Sequence, residues 1–281
     1  MRTSFWDIVG KQADLKKEML FIEQMFCERV FYYSSIKFTL LSYINHFYFS
    51  DWAAKNGITC PSVWDLRYHV GIENFRKSGR LSIDEFLLYL ECVVNLVQLI
   101  SKDNQCTTAI SIAGNILLNI KTNCERLNFK VIEFSKGLFK IVEKNAAATA
   151  VADKYSRSDS EFSYKVIEYN HFLLKGNLGR KREILNAIAS KFEAIRPQLR
   201  ENGFKDIESD AGYLVNNLNI RHNNTDPQSK SHKAHVAAMP SAELEKWYDK
   251  TYDVLLLALL ASDFSELHGE IQELKTKIGS K

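Results

Sequence analysis

The run VLLLALLA at residues 254–261 is apolar on every face that a helix can present. Such a helix must be surrounded by protein or embedded in lipid. Eight residues rise only about 12 Å, against a hydrocarbon core of about 30 Å. The run therefore predicts a central core helix with other helices packed around it. Pro240, then Glu243 and Glu245 in the first turn, where the helix dipole favours acids, mark its start. One other stretch is membrane-like, VFYYSSIKFTLLSYINHFYF at residues 30–49, but it carries Lys37, Asn45 and His46. A charge at mid-span is costly in hydrocarbon, so this stretch reads as a helix buried inside protein.

Helical signals dominate the rest of the chain. Residues 15–52 contain neither proline nor glycine, and NGITCPS at 56–62 is the first clear break. A helical stretch follows and is closed by Gly79. In LSIDEF, residues 81–86, Ser82 and Glu85 fit a capping box, and Leu81 and Phe86 fit a hydrophobic staple. Phe86, Leu90, Val93, Val97 and Ile100 then share one helical face, and another helix spans about 107–127. FKVIEFSKGLFKIVEK, residues 129–144, changes pattern: two β-rich runs flank a Gly-containing turn, which predicts a hairpin leaning on neighbouring helices. NAAATAVADKY reads as a small-residue helix and SRSDS at 156–160 as a linker, with further helices over about 161–175, 179–201 and 204–222. The fold class expected is mainly α, helical bundles with one small β-hairpin near the middle. The domains expected are residues 1–128, helical, and 129–281, a hairpin plus a helical bundle.

Function classes are bounded mostly by exclusion. A net charge of +3 over 281 residues permits nucleic-acid contact without arguing for it. None of the five cysteines forms a C-x-x-C pair, so they read as reduced cytosolic thiols, not a disulfide frame or a zinc site. The N-terminus has no apolar stretch of signal-peptide length, and a cytoplasmic protein is expected. No P-loop, nucleophile elbow, H-E-x-x-H or dinucleotide fingerprint occurs, so neither cofactor nor metal is expected.

The chemistry-bearing candidates lie late in the chain. Ile207, Ala211, Leu214 and Leu218 form one helical stripe, and Arg221 and His222 are its next positions, which aims both inward as the helix stops. Helix termination accounts for much of IRHNN. Cations suit a last turn, Asn suits a left-handed residue, and Asp226–Pro227 makes a turn. The functional reading gives Arg221 a phosphate to hold by a bidentate fork and His222 a proton to move at a ribose hydroxyl, with Asn223 and Asn224 orienting them. Together these suit metal-independent RNA cleavage. If the SKSHKAH loop folds back, one of His232 and His235 supplies a second acid–base partner or an auxiliary RNA contact; a solvated loop accounts for them otherwise. KGNLGRKRE places Lys175, Arg180, Lys181 and Arg182 around a G-x-x-G between two helices, a helix–turn–helix joint whose basic residues offer an auxiliary RNA contact. The aromatic belt at residues 31–52 has few interleaved cations and reads as packing.

IRHNN beside ELEKWYDKTYDVLLLALL resembles the HEPN superfamily. With VEKNAAATAVA and IEYNHFLLKGNLGRKREIL, residues of about 129–261 look like bacterial HEPN-type proteins associated with abortive infection. That resemblance implies a helical bundle, a homodimer or larger homo-oligomer and, in active members, a ribonuclease needing no metal. It further implies an anti-phage or toxin-type protein that binds RNA, tRNA included, and answers to a phage-derived or protein activator, with no membrane partner. Arg221 fits the motif arginine. The motif histidine, four to six residues on, has no counterpart: His222 is adjacent, position 226 is Asp, and His232 follows a ten-residue gap containing Pro227. The alternative expectation is a non-catalytic helical scaffold, sensor or regulatory subunit of a defence system.

Overall fold

A computed structural model describes residues 14–102, 105–135 and 137–279. The chain is mainly helical and forms two compact units, Met1–Glu143 and Lys144–Lys281.

In the first unit, α1 (Leu15–Glu23) is capped by Asp14, whose Oδ1 accepts from the amides of Lys16 and Lys17, and runs on into a π turn, Gln24–Glu28. The expected buried helix over residues 30–49 is corrected next. β1 (Val30–Tyr33) and β2 (Ile36–Thr39) form a hairpin first, and only then does α2 (Leu40–Ile44) begin, passing through a π turn, Asn45–Phe49, into α3 (Ser50–Lys55). The hairpin turns on Ser34 and Ser35, with φ of 50° and 64°. Two consecutive left-handed residues make the tight turn that matches strand twist, usually signalled by Asn-Gly. The belt is aromatic packing, as expected: Tyr43 sits 4.7 Å from the ring centre of Phe47, 5.5 Å from Phe38 and 5.6 Å from Phe31 and Tyr33.

α4 (Val63–Val70) and α5 (Ile72–Lys77) meet at Gly71, whose φ of 85° lets one helix stop and the next start. α6 (Ile83–Val97) opens with the expected capping box: Ser82 Oγ accepts from the Glu85 amide at 3.2 Å while Glu85 Oε2 accepts from the Ser82 amide at 2.8 Å. After α7 (Thr107–Arg126) comes the second hairpin, β3 (Phe129–Ser135) paired with β4 (Leu138–Glu143). The outward edge of β4 is bonded to α6: Asn95 Oδ1 accepts from the Phe139 amide, Asn95 Nδ2 donates to its carbonyl, and Glu91 Oε2 accepts from the Ile141 amide. This hairpin therefore belongs to the first unit, and the division falls at 143/144 instead of 128/129. Within the same unit, Arg67 donates through Nη2 to both oxygens of Glu23 at 2.8 and 2.9 Å, with both side chains under 5% exposed.

In the second unit, α8 (Ala146–Tyr155) and α9 (Ser160–Glu168) pack together, so SRSDS is a turn inside one unit and not a linker. A single 3-10 turn, Phe172–Leu174, leads to α10 (Leu178–Glu201), then α11 (Lys205–Asn217), the short α12 (Ala234–Ala237) and α13 (Ser241–Gly279). The central apolar run of α13 behaves as expected. Leu255, Leu256, Ala258 and Leu259 are buried against Ile184, Ile188, Phe192 and Val215, although Leu257 is half exposed. Past Ser262 the helix leaves this core and runs on, largely solvent-facing, to Gly279. No helix among the described residues is long and apolar enough to cross a membrane.

Candidate functional site

The end of α11 decides where the IRHNN side chains point. The helix closes at Asn217, and Asn219 takes a left-handed φ of 59°. That single residue breaks the helical phase. Ile220 turns into the core at 2% exposure, and Arg221 and His222 face solvent. The inward aim predicted for both is thus corrected: the stripe ends at Leu218, and an Asn that tolerates the left-handed region sits just beyond it.

Asn224 is fully buried and locks the loop. Its Oδ1 accepts from the Asn219 amide at 2.7 Å, while the Asn219 Oδ1 accepts from the Asn224 amide at 3.0 Å. Its Nδ2 donates to the Ser231 carbonyl at 2.8 Å, and its own carbonyl accepts from the Lys233 amide at 2.8 Å. Asn224 therefore serves the backbone and orients neither Arg221 nor His222. Its bonds to Ser231 and Lys233 fold SKSHKAH back against residue 224, so His232 rides on the same loop as His222. The Nδ1 of His232 is buried with no hydrogen-bond partner. Asn223 is exposed and donates to Asp226 Oδ2 at 3.3 Å, and Asp226 Oδ1 accepts from the Gln228 amide to make the turn.

The strapped loop is rich in cations. Arg221, Lys230 and Lys233 are exposed on it with His222 and His235, against one acid, Asp226. Arg221 pairs through Nη1 with Glu193 on α10 at 2.6 Å. Glu193 also holds Arg196 at 3.2 Å, and the buried Glu208 takes Arg196 and Arg200 at 2.5 and 2.8 Å. Three guanidinium groups therefore meet two carboxylates. The Arg200 guanidinium, donating to Glu208, holds its carboxyl below the ordinary carboxylate range.

The basic cluster around Gly176 and Gly179 is arranged otherwise than expected. Lys181 is buried and bridges Asp249 at 2.6 Å and Glu245 at 2.9 Å, below the ring of Tyr169. Arg180 pairs with Glu168 at 2.7 Å and Glu183 at 2.9 Å. Lys175 is exposed and Arg182 half-buried. Lys181 is thus an internal ion-pair partner and not an RNA contact, whereas Arg180, paired with two carboxylates, is as exposed as the Glu193-paired Arg221. Burial, reinforced by Asp249, pushes the Tyr169 hydroxyl well above its ordinary value, and burial does the same for Tyr252, which stacks on Tyr169 at 4.0 Å. The sequence reading missed this polar cluster. Glu245 and Asp249, four apart on one face of α13, were the available signal.

Two clefts in the first unit were also invisible in sequence. One, of about 620 Å³, lies between α1 and α7 and is lined by Glu18, Phe21, Leu118, Asn119, Asn123 and Arg126. The other, of about 290 Å³, is lined by Leu66, Leu88, Cys92, Phe139 and Trp52, whose Nε1 is buried without a hydrogen-bond partner. Among the described residues, no group of three or more His, Cys, Asp or Glu side chains could hold a metal ion. No family model, curated protein or solved structure matches the chain.

Proposed function

We propose that the second unit binds RNA along the strapped loop at residues 218–235 and cleaves it without metal. The reading rests on one observation: Asn224 holds closed a loop that carries His222, His232, Arg221, Lys230 and Lys233. Phosphate takes the place of Glu193 at the exposed part of the Arg221 guanidinium, whose planar fork suits two phosphate oxygens. One histidine removes the 2′-hydroxyl proton, O2′ attacks phosphorus, and the other histidine protonates the departing O5′. The products are a 2′,3′-cyclic phosphate and a 5′-hydroxyl. The resemblance to HEPN proteins adds the setting, an anti-phage or toxin-type activity released by a phage-derived or protein activator.

The test mixes purified protein with total RNA and tRNA in chelator, beside the R221A/H222A and H232A variants. Cleavage by wild type, with cyclic-phosphate ends, and its loss in both variants is the expected result. Equal cleavage by R221A/H222A overturns the assignment.

A second reading, a non-catalytic scaffold or regulatory subunit, is favoured by the same Asn224 clamp and by the Arg221–Glu193 pair. Both make sense as devices that anchor the loop. Under it, none of the three proteins cuts RNA and the substituted positions alter partner binding alone.

A further inference from the structure

Where α13 leaves the bundle, it carries an apolar pattern that the bundle uses only at its start, where Leu260 packs against the core and the Phe264 ring meets Phe204 at 6.1 Å. Leu260, Phe264, Leu267, Ile271, Leu274 and Ile278 follow one another at spacings of four and three in strict alternation, and Leu257 extends the series backwards by three. That is a period of 3.5, the repeat of a left-handed coiled coil and not the 3.6 of a solitary helix. Beyond those contacts the stripe is open: Leu267 is 50% exposed, Leu274 56% and Ile278 69%, with Ile271 half-buried. Polar residues fill the other faces, Gln272, Glu273 and Thr276 among them. A helix polar on most of its surface and apolar along one narrow seam gains from burying that seam against a second helix.

The choice of residues says which helix. Ile271 and Ile278 fall at a positions of the heptad, following Phe264 at the first, and Leu267 and Leu274 fall at the d positions. β-Branched residues at a with leucine at d favour two parallel strands. Glu270 then falls at g and Lys275 at e. In a parallel pair the g residue of one chain faces the following e residue of its neighbour, so Glu270 of each copy meets Lys275 of the other. The seam and its flanking charges are complementary to themselves. We infer that residues 264–278 form a parallel two-stranded coiled coil with the same helix of a second copy of this chain. The inference stands on the pattern and exposure of α13 and is independent of the RNA reading.

Sedimentation velocity on the full chain, from about 1 to 100 µM, tests it. Wild type shows a reversible monomer–dimer equilibrium. L267E/L274E places four like charges in the seam and raises the dissociation constant at least about a hundredfold. Its bundle stays folded, read by an unchanged near-ultraviolet circular dichroism spectrum, because these side chains lie outside the core. E270K and K275E each weaken the dimer, and the double exchange E270K/K275E restores it, since the pair is re-formed with its signs swapped. A wild type monomeric at 100 µM, or a dimer that survives L267E/L274E, overturns the proposal. A K275E variant as tightly dimeric as wild type overturns the parallel arrangement.

Discussion

Asn224→Ala separates a clamp from a ligand contact. The substitution deletes Oδ1 and Nδ2 and leaves the backbone bonds of residue 224 in place. Two hydrogen bonds go, those with the Asn219 amide and the Ser231 carbonyl. Asn219 is 9% exposed, so its amide is left buried and unpaired, whereas Ser231 is half-buried and its carbonyl can recruit water. An unpaired buried group costs about 1–3 kcal/mol. Full cost at Asn219 and partial cost at Ser231 give a loss of roughly 3 kcal/mol. The two units need not unfold together, so a single melting curve is the wrong assay. Hydrogen exchange of α11 and α13 amides in increasing urea reads the second unit by itself. Asn223→Ala is the control: its side chain is exposed and its bond to Asp226 is 3.3 Å long, so it should change stability by less than about 0.5 kcal/mol. A loss below about 1 kcal/mol for Asn224→Ala, or no greater than that of the control, would show that the reciprocal Asn219–Asn224 pair does not hold the loop.

The other predictions concern the first unit. Burial pushes the thiols of Cys27 and Cys92 up to about 12, so although all three are half-buried, these two should react with Ellman's reagent at pH 8 more slowly than Cys60. The folded thiols hold protons that unfolded thiols lose near 9.0, so their contribution is complete below pH 9 and fades as the pH rises from there through about 12. Glu23→Gln strands the Arg67 guanidinium in a buried site and should cost about 3–5 kcal/mol, measured by urea exchange of α6 amides. Pairing it with Arg67→Met should recover most of that loss.

The features legible in sequence were those whose causes are local. Ser82 and Glu85 are three residues apart and bond to each other, so their box could be read directly. The hairpin at residues 129–143 showed as β-rich runs around Gly137, whose φ is 81°. The earlier hairpin did not show, because Ser34 and Ser35 occupy left-handed positions that residue type seldom advertises, and the aromatic residues on either side fit a helix as readily as a strand. The inward aim of Arg221 and His222 failed at one dihedral angle: Asn219 turns left-handed, so Ile220 enters the core and the two side chains after it face solvent. Lys181 was misplaced for another reason. Its partners Glu245 and Asp249 lie more than sixty positions downstream, where local pattern carries no information.

The bonds from Asn95 and Glu91 to the rim of β4 decide what can pair with that rim. A strand whose amides face water is a template on which other chains can lay themselves down, and sheets grow into fibres from such borders. Here the amides of Phe139 and Ile141 are already taken by side chains of a neighbouring helix. The β4 border is shut to a newcomer unless α6 first gives way, so recruitment of foreign strands there must wait on loosening of the unit itself.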